Sequence, residues 1–421
     1  MTLYRAFRDE MMAGGSVDDS GRDPGRSRRT SIVAGLVVLG LLAWLGFTNP
    51  WSLLLVAGLL VSVLLHEVGH FVTAGWAGMK RTQFFMGFGP RLWSFHRNDI
   101  EYGVRALPLG AFVRIVGMNN LDPVAPGEED AAYVSKPYRW RMLVITAGSI
   151  MHLLIAMALL LFVYTVGGRF QEVGRAEVYA VMGDSPAANA GLREGDVITR
   201  VDDVQVVKSS DLRNYIRSRS AGDSVEIAWT SGGVDRSASI VLAPAAIGTA
   251  PGSSDATQPG FLGVGTESTG RRALSIPSAV GRIGGDLVSD VAATVRGIAT
   301  VANPVNQWDQ LTNEDADPTK RPTTVVGITM VAGDVGRDFG FFAVIEILAS
   351  INVFVGLFNL LPMLPFDGGH AAIATYERIR SRKGRPYRAD VEKLWPLTVA
   401  VITLLLFLTF TGLYLDITRP F

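Results

Sequence analysis

The chain has 421 residues, 48% of them hydrophobic and only 19% charged, with a formal net charge of zero; soluble domains average about a quarter charged residues, so the composition points to a membrane. Zero net charge excludes a generally basic nucleic-acid binder, and no nucleic acid is expected as a partner. There is no cysteine, which excludes disulfides, thiolate nucleophiles and Cys-ligated metal, so any metal site must draw on His, Asp or Glu.

After a polar tail (1–30) with Arg26, Arg28 and Arg29, the first apolar run covers 32–47. No small-x-small cleavage site follows, so an uncleaved anchor at 31–48 is expected rather than a signal peptide. Thr48-Asn49-Pro50 breaks it from a second run, Trp51 to about Ala77, interrupted by His66, Glu67 and His70. Three more runs follow, Leu143 to about Val166, Phe339–Leu361 and Leu394–Leu415, making five spans of near-membrane length. Lys and Arg collect in the tail, in the loop from Lys80 to Arg141 and in the loop from Arg378 to Lys393. One threading places all three on the cytoplasmic side and 167–338 outside.

Within the outer part, residues 176–266 read as a soluble domain. Alternation in Val197–Val201 and Ser224–Trp229 predicts strands, and Ser210–Ser218 predicts a helix. The stretch "SPAANAGLREGDVITRVDDVQV" resembles a PDZ domain of bacterial protease type, with Gly260–Gly265 as an edge strand and Ile247–Pro259 as a Gly/Ser/Pro-rich loop. That resemblance implies peptide capture at a sheet edge, or gating by size. Pro277–Val301 is a weakly amphipathic helix suited to a membrane surface or to ordinary packing, and Asn303–Thr323 reads as a linker.

Ionisable groups inside an apolar run are costly and point to function. His66 and His70 are four apart, so a helix brings both to one face where they can reach a single zinc, with Glu67 beside it as general base toward water. A catalytic zinc takes three protein ligands. Candidates for the third are His152, Asp367 and His370, and membrane depth favours Asp367. Pro362 and Pro365 break the helix before it, which is tolerated at membrane depth where backbone lines a protein-enclosed or wet cavity.

His66-Glu67-Val68-Gly69-His70, then Asn359-Leu360-Leu361-Pro362 and Asp367-Gly368-Gly369, with a PDZ-like stretch between them, resemble the site-2 protease family of intramembrane zinc proteases. The likeness runs from about Trp51 to Leu415 and includes Phe84–Met118, similar to the family's membrane-associated β-hairpin region. It implies an α-helical polytopic membrane protein with that hairpin and an inserted extracytoplasmic PDZ domain, in a bacterial plasma membrane with the N-terminus cytoplasmic. The parts are a catalytic core in two segments, 51–166 and 339–415, separated by the PDZ domain at 176–266 and an extracytoplasmic helix and linker at 267–338. By resemblance His66, His70 and Asp367 bind Zn2+, Glu67 activates water and Asn359 helps to hold substrate backbone, with no small-molecule cofactor. The implied substrate is a single-span membrane protein such as an anti-sigma factor, unwound locally and held extended by the Phe84–Met118 strands among membrane lipids. The chain departs from the family's Gly-Pro-x-x-Asn pattern at Gly148–His152, where His152 replaces Asn and could lie just behind the zinc ligands. Alternatives are an impaired relative acting as a scaffold, or a metal or proton transporter, although no internal repeat of the transporter kind is visible.

Overall fold

The structure, a computed structural model, describes residues 24–118, 124–244, 259–313, 316–381 and 387–420. The start of the tail (1–23), most of the expected 247–259 loop, and Arg382, Lys383 and Arg385 lie outside them. The chain divides into one unit at Tyr164–Ile276 and a second made of the segments on either side.

The second unit begins with α1 (Pro24–Thr48) and α2 (Pro50–Trp76), separated only by Asn49. Asn49 caps α2, its side chain accepting the Ser52 N–H at 3.1 Å, and Pro50 takes a first-turn position where no N–H is needed. Strands β1 (Arg81–Arg97) and β2 (Ile100–Ile115) follow as an antiparallel hairpin. Its turn places Asn98 and Asp99 at φ +50° and +59°, a left-handed pair that these residue types tolerate and that suits the twist of a hairpin. Both α1 and α2 pack against both strands.

Helix α3 (Tyr138–Phe162) continues through a π turn, Val163–Gly167. The smaller unit then supplies β3 (Arg169–Val181), α4 (Pro186–Asn189), β4 (Val197–Val201), β5 (Val204–Gln205), α5 (Ser209–Arg217), β6 (Ser224–Ser231), β7 (Val234–Val241), β8 (Ala243–Pro244), β9 (Gly260–Phe261) and β10 (Val264–Arg272). The sheet order is β10-β3-β4-β6-β7, with β5 on β4 and a separate β8-β9 pair. The expected edge strand at 260–265 is thus divided: Gly260–Phe261 pairs with β8, and Val264 opens β10 at the sheet edge. Period-two alternation buries Val225, Ile227 and Trp229 of β6 with Ile198, Leu212 and Ile216. Asp202, in the β4–β5 turn, accepts the Glu226 N–H at 2.7 Å and the Tyr215 hydroxyl at 2.8 Å, bonds that hold its carboxyl below the usual carboxylate range.

The larger unit resumes with α6 (Ile276–Ala302), α7 (Pro304–Thr312), α8 (Val325–Phe339), α9 (Phe341–Phe358), α10 (Asp367–Arg380) and α11 (Trp395–Thr418). The expected linker at 303–323 contains α7 and a 3-10 turn, Pro318–Lys320. Asn303 caps α7 by accepting the Val305 N–H, with Pro304 at the first helical position, so the residues read as linker composition are helix-start signals instead. Helix α8 was hidden by its small residues. Gly333 and Gly336 give way to Ser52 and Trp51 of α2, the Ser52 hydroxyl donates to the Thr329 carbonyl at 2.6 Å, and the α8 N-terminus is held by Asp416 of α11. Asp416 accepts from the Thr324 and Gly327 N–H groups and from Arg321 at 2.9–3.1 Å.

Among the described residues four helices are long and apolar enough to cross a membrane: α2, α3 with its π turn, α9 and α11. Against the five spans expected, α1 contributes a shorter apolar stretch, Ile32–Thr48, although its helix extends back to Pro24.

Candidate metal centre

His66 and His70 lie on one face of α2, and their Nε2 atoms are 3.1 Å apart. His70 Nδ1 is 2.7 Å from the Val144 carbonyl oxygen of α3. A carbonyl can only accept, so Nδ1 carries the proton and Nε2 turns a lone pair toward the centre. Two glycines let α2 and α3 approach this closely: a Cβ on Gly69 would lie 2.8 Å from the Ala147 carbonyl oxygen, and one on Gly148 would lie 2.5 Å from His70 Nε2 and 2.6 Å from His66 Nε2.

The third group arrives from a reversal of the chain. Helix α9 ends at Phe358, and α10 starts at Asp367 after Pro362 and Pro365, the latter preceded by a cis bond. Within the reversal the Gly368 N–H donates to the Asn359 carbonyl at 2.7 Å and the Gly369 N–H to the Phe366 carbonyl at 2.9 Å. Gly368 has no room for a side chain against Leu360 and Leu361 backbone, so the turn is built on glycine. Asp367 Oδ2 is thereby brought 3.3 Å from His66 Nε2 and 3.2 Å from His70 Nε2. Among the described residues this is a group of three ligand atoms within 4.8 Å of one another. His152 and His370, the other two candidates for a third ligand, are outside it.

These atoms fit a metal. Ligands at about 2.0–2.1 Å from a tetrahedral zinc stand about 3.3 Å apart, against 3.1–3.3 Å here. Three lone-pair-bearing atoms aimed at one point repel unless a cation lies between them, and Asp367 Oδ2 is buried with no hydrogen-bond partner among the described residues.

Glu67 stands beside this group, Oε1 3.9 Å from His66 Nε2, while its Oε2 accepts the Val113 backbone N–H at 3.1 Å. The hairpin strand β2 therefore holds the carboxylate. His152 sets its ring 5.0 Å from that of His66, tilted by 46°, and bonds through Nδ1 to Asn352 Oδ1 on α9 at 2.8 Å. Asn359 contributes its backbone carbonyl to the reversal. Sequence reasoning missed both Val113 and Asn352: Val113 acts through its backbone and leaves no signature, whereas Asn352, a single polar residue in an apolar run, was an available signal.

At its far end α10 is fixed by a buried ion pair. Glu377 Oε2 is 2.8 Å from Arg141 Nη2 of α3, and its Oε1 accepts the Ala389 N–H at 2.9 Å.

The profile of peptidase family M50 matches residues 54–406. The chain belongs to this family, that of the site-2 proteases. The protease is 32% identical to zinc metalloprotease Rip1 of Mycobacterium tuberculosis over 396 residues, 86% of this chain and 96% of the relative. Rip1 of Mycolicibacterium smegmatis is 29% identical over 375 residues, 82% of this chain and 91% of the relative. A solved PDZ domain of the SdrC-like protein of Listeria monocytogenes is 28% identical and covers 22% of this chain and 87% of its own, with a TM-score of 0.19. The protease is accordingly a zinc metalloprotease, and its four spanning-length helices make it a multi-pass membrane protein.

Proposed function

We propose that the protease hydrolyses a peptide bond in or beside the transmembrane helix of a single-span membrane protein such as an anti-sigma factor, with His66, His70 and Asp367 holding the zinc. The convergence of His66 Nε2, His70 Nε2 and Asp367 Oδ2 beside Glu67 carries this reading. When bound, zinc supplies the Lewis acidity that makes water nucleophilic near neutral pH and polarises the scissile carbonyl. Glu67 takes the water proton and delivers it to the leaving amine, its carboxylate kept in place by the Val113 N–H. A helical peptide bond is shielded by its own hydrogen bonds, so the substrate must be extended locally, and pairing with the β1–β2 strands offsets the broken helical bonds. Asn359, at the end of α9 before the reversal, contacts the substrate backbone.

The basic segments support a cytoplasmic N-terminus and an extracytoplasmic position for 167–338, with the first apolar helix as an extra anchor in a bacterial plasma membrane. The antiparallel sheet of 176–266, with β10 at its edge, supports a PDZ domain that receives a peptide or screens substrates by size.

The test is Glu67→Gln with a membrane-helix substrate in detergent. Loss of cleavage with zinc retained is expected; cleavage at the wild-type rate refutes the mechanism. Independently, zinc content should fall in His66→Ala and in Asp367→Ala.

A further inference from the structure

Asn352 is buried in α9, and its amide orientation is fixed because Nδ2 donates to the Leu348 carbonyl at 2.8 Å. Its Oδ1 therefore faces His152 Nδ1 at 2.8 Å. An amide oxygen has no proton to give, so His152 Nδ1 is the donor, and the neutral ring keeps Nε2 as an acceptor. His152 follows Gly148 by one helical turn, on the face of α3 that abuts the α2 histidines. Gly356 of α9 makes room for it, since a Cβ there would lie 3.1 Å from His152 Cβ.

His66 has the complementary need. Its Nε2 is directed at Asp367 and His70, so its proton belongs on Nδ1, and that atom is buried with no hydrogen-bond partner among the described residues. The His66 and His152 rings are 5.0 Å apart and tilted by 46°. The two rings are not hydrogen-bonded to each other in this structure, but that separation leaves hydrogen-bond distance between their facing nitrogens once a ring rotation aligns them.

We propose that His152 is a positioning residue for the metal centre: its Nε2 accepts the hydrogen bond that His66 Nδ1 must donate, and Asn352 fixes the tautomer that makes this possible. The observed part of this relay runs from His152 through Asn352 to the Leu348 carbonyl; the proposed bond adds His66 and would tie α2, α3 and α9 to the orientation of one ligand. Partners of this kind orient a ligating imidazole and raise its basicity. His152 is then a working substitute for the Asn of the family pattern, with a longer reach. The inference rests on His66 being a zinc ligand.

The experiment measures zinc affinity of the full-length protein in detergent by competition with a graded chelator. His152→Phe and Asn352→Leu should each weaken zinc binding about 10- to 100-fold. The double variant should be no weaker than the worse single one, because both interrupt one relay. His152→Gln, which keeps one donor and one acceptor, should recover most of the loss. Wild-type affinity in His152→Phe, or losses that add in the double variant, overturn the relay. A metal-free unfolding midpoint matching wild type supports it, whereas one lowered in step with zinc affinity assigns His152 to packing and overturns it. His66→Ala separates the two levels: zinc lost there but kept in His152→Phe refutes only the relay, while zinc kept in His66→Ala overturns the ligand set and the relay with it.

Discussion

The backbone N–H of Val113, in the second hairpin strand, donates to Glu67 Oε2 at 3.1 Å, so a strand proposed to align substrate also fixes the proposed base. In Val113→Pro that donor is gone. A hydrogen bond to a charged group is worth about 1.5–3 kcal/mol, which corresponds to a fall in kcat of about 10- to 150-fold. Zinc content, measured on the same preparation, should stay at the wild-type level.

Gly148 is the floor under the proposed metal ligands. In an exposed helix Gly→Ala stabilises by about 0.8–1.0 kcal/mol, but a methyl at 148 would fall 2.5–2.6 Å from the Nε2 atoms of His70 and His66. Gly148→Ala should therefore lose zinc and proteolysis together. Gly40→Ala in α1, with nothing within 4 Å of the added carbon, should leave both unchanged. Elemental analysis and a cleavage assay decide it.

The Arg141–Glu377 pair holds α10, and through it Asp367. Both side chains are buried, so removing one partner leaves an uncompensated charge at a cost of about 3–5 kcal/mol. Glu377→Ala should lower the thermal midpoint in detergent and weaken zinc retention. Arg141→Met combined with Glu377→Met should recover much of the stability, since no buried charge is left alone and Arg388, which also reaches Glu377 Oε2 at 3.5 Å, is half-exposed.

Asp202 in the smaller unit gives a pH signature. Its carboxyl is held below the ordinary range, first by the Glu226 N–H, so its stabilising effect is present above the unfolded-state value and lost as pH falls through the lowered folded-state value. Asp202→Asn should cost about 1–2 kcal/mol at pH 7. The gap from wild type should close on acidification, as read from unfolding curves across that range.

His66, Glu67 and His70 were legible in the sequence because helical spacing alone places them together, and because ionisable residues inside an apolar run stand out. Asp367 was legible less directly, through matched membrane depth. Of the strands of the smaller unit, β4 and β6 followed from alternation, since a half-buried sheet imposes a period of two. Helix α8 was not legible, because Gly327, Gly333 and Gly336 dilute the apolar signal while serving close approach to Asp416, Ser52 and Trp51.

What the sequence determined by itself was the chemistry available: two imidazoles and a carboxylate on one helix, a second carboxylate after a broken helix, and no thiol to compete with them. Tertiary structure decided which groups meet. Membrane depth favoured Asp367 over His152 and His370 as the third group, but only the reversal through Gly368 and Gly369 put Asp367 within 3.3 Å of both histidines while leaving His152 outside that cluster, bonded to Asn352. The reason is physical: spacing along a helix fixes neighbours three and four residues away, whereas partners 200 or 300 residues apart are chosen by how closely the backbones can approach, and here glycine sets that distance.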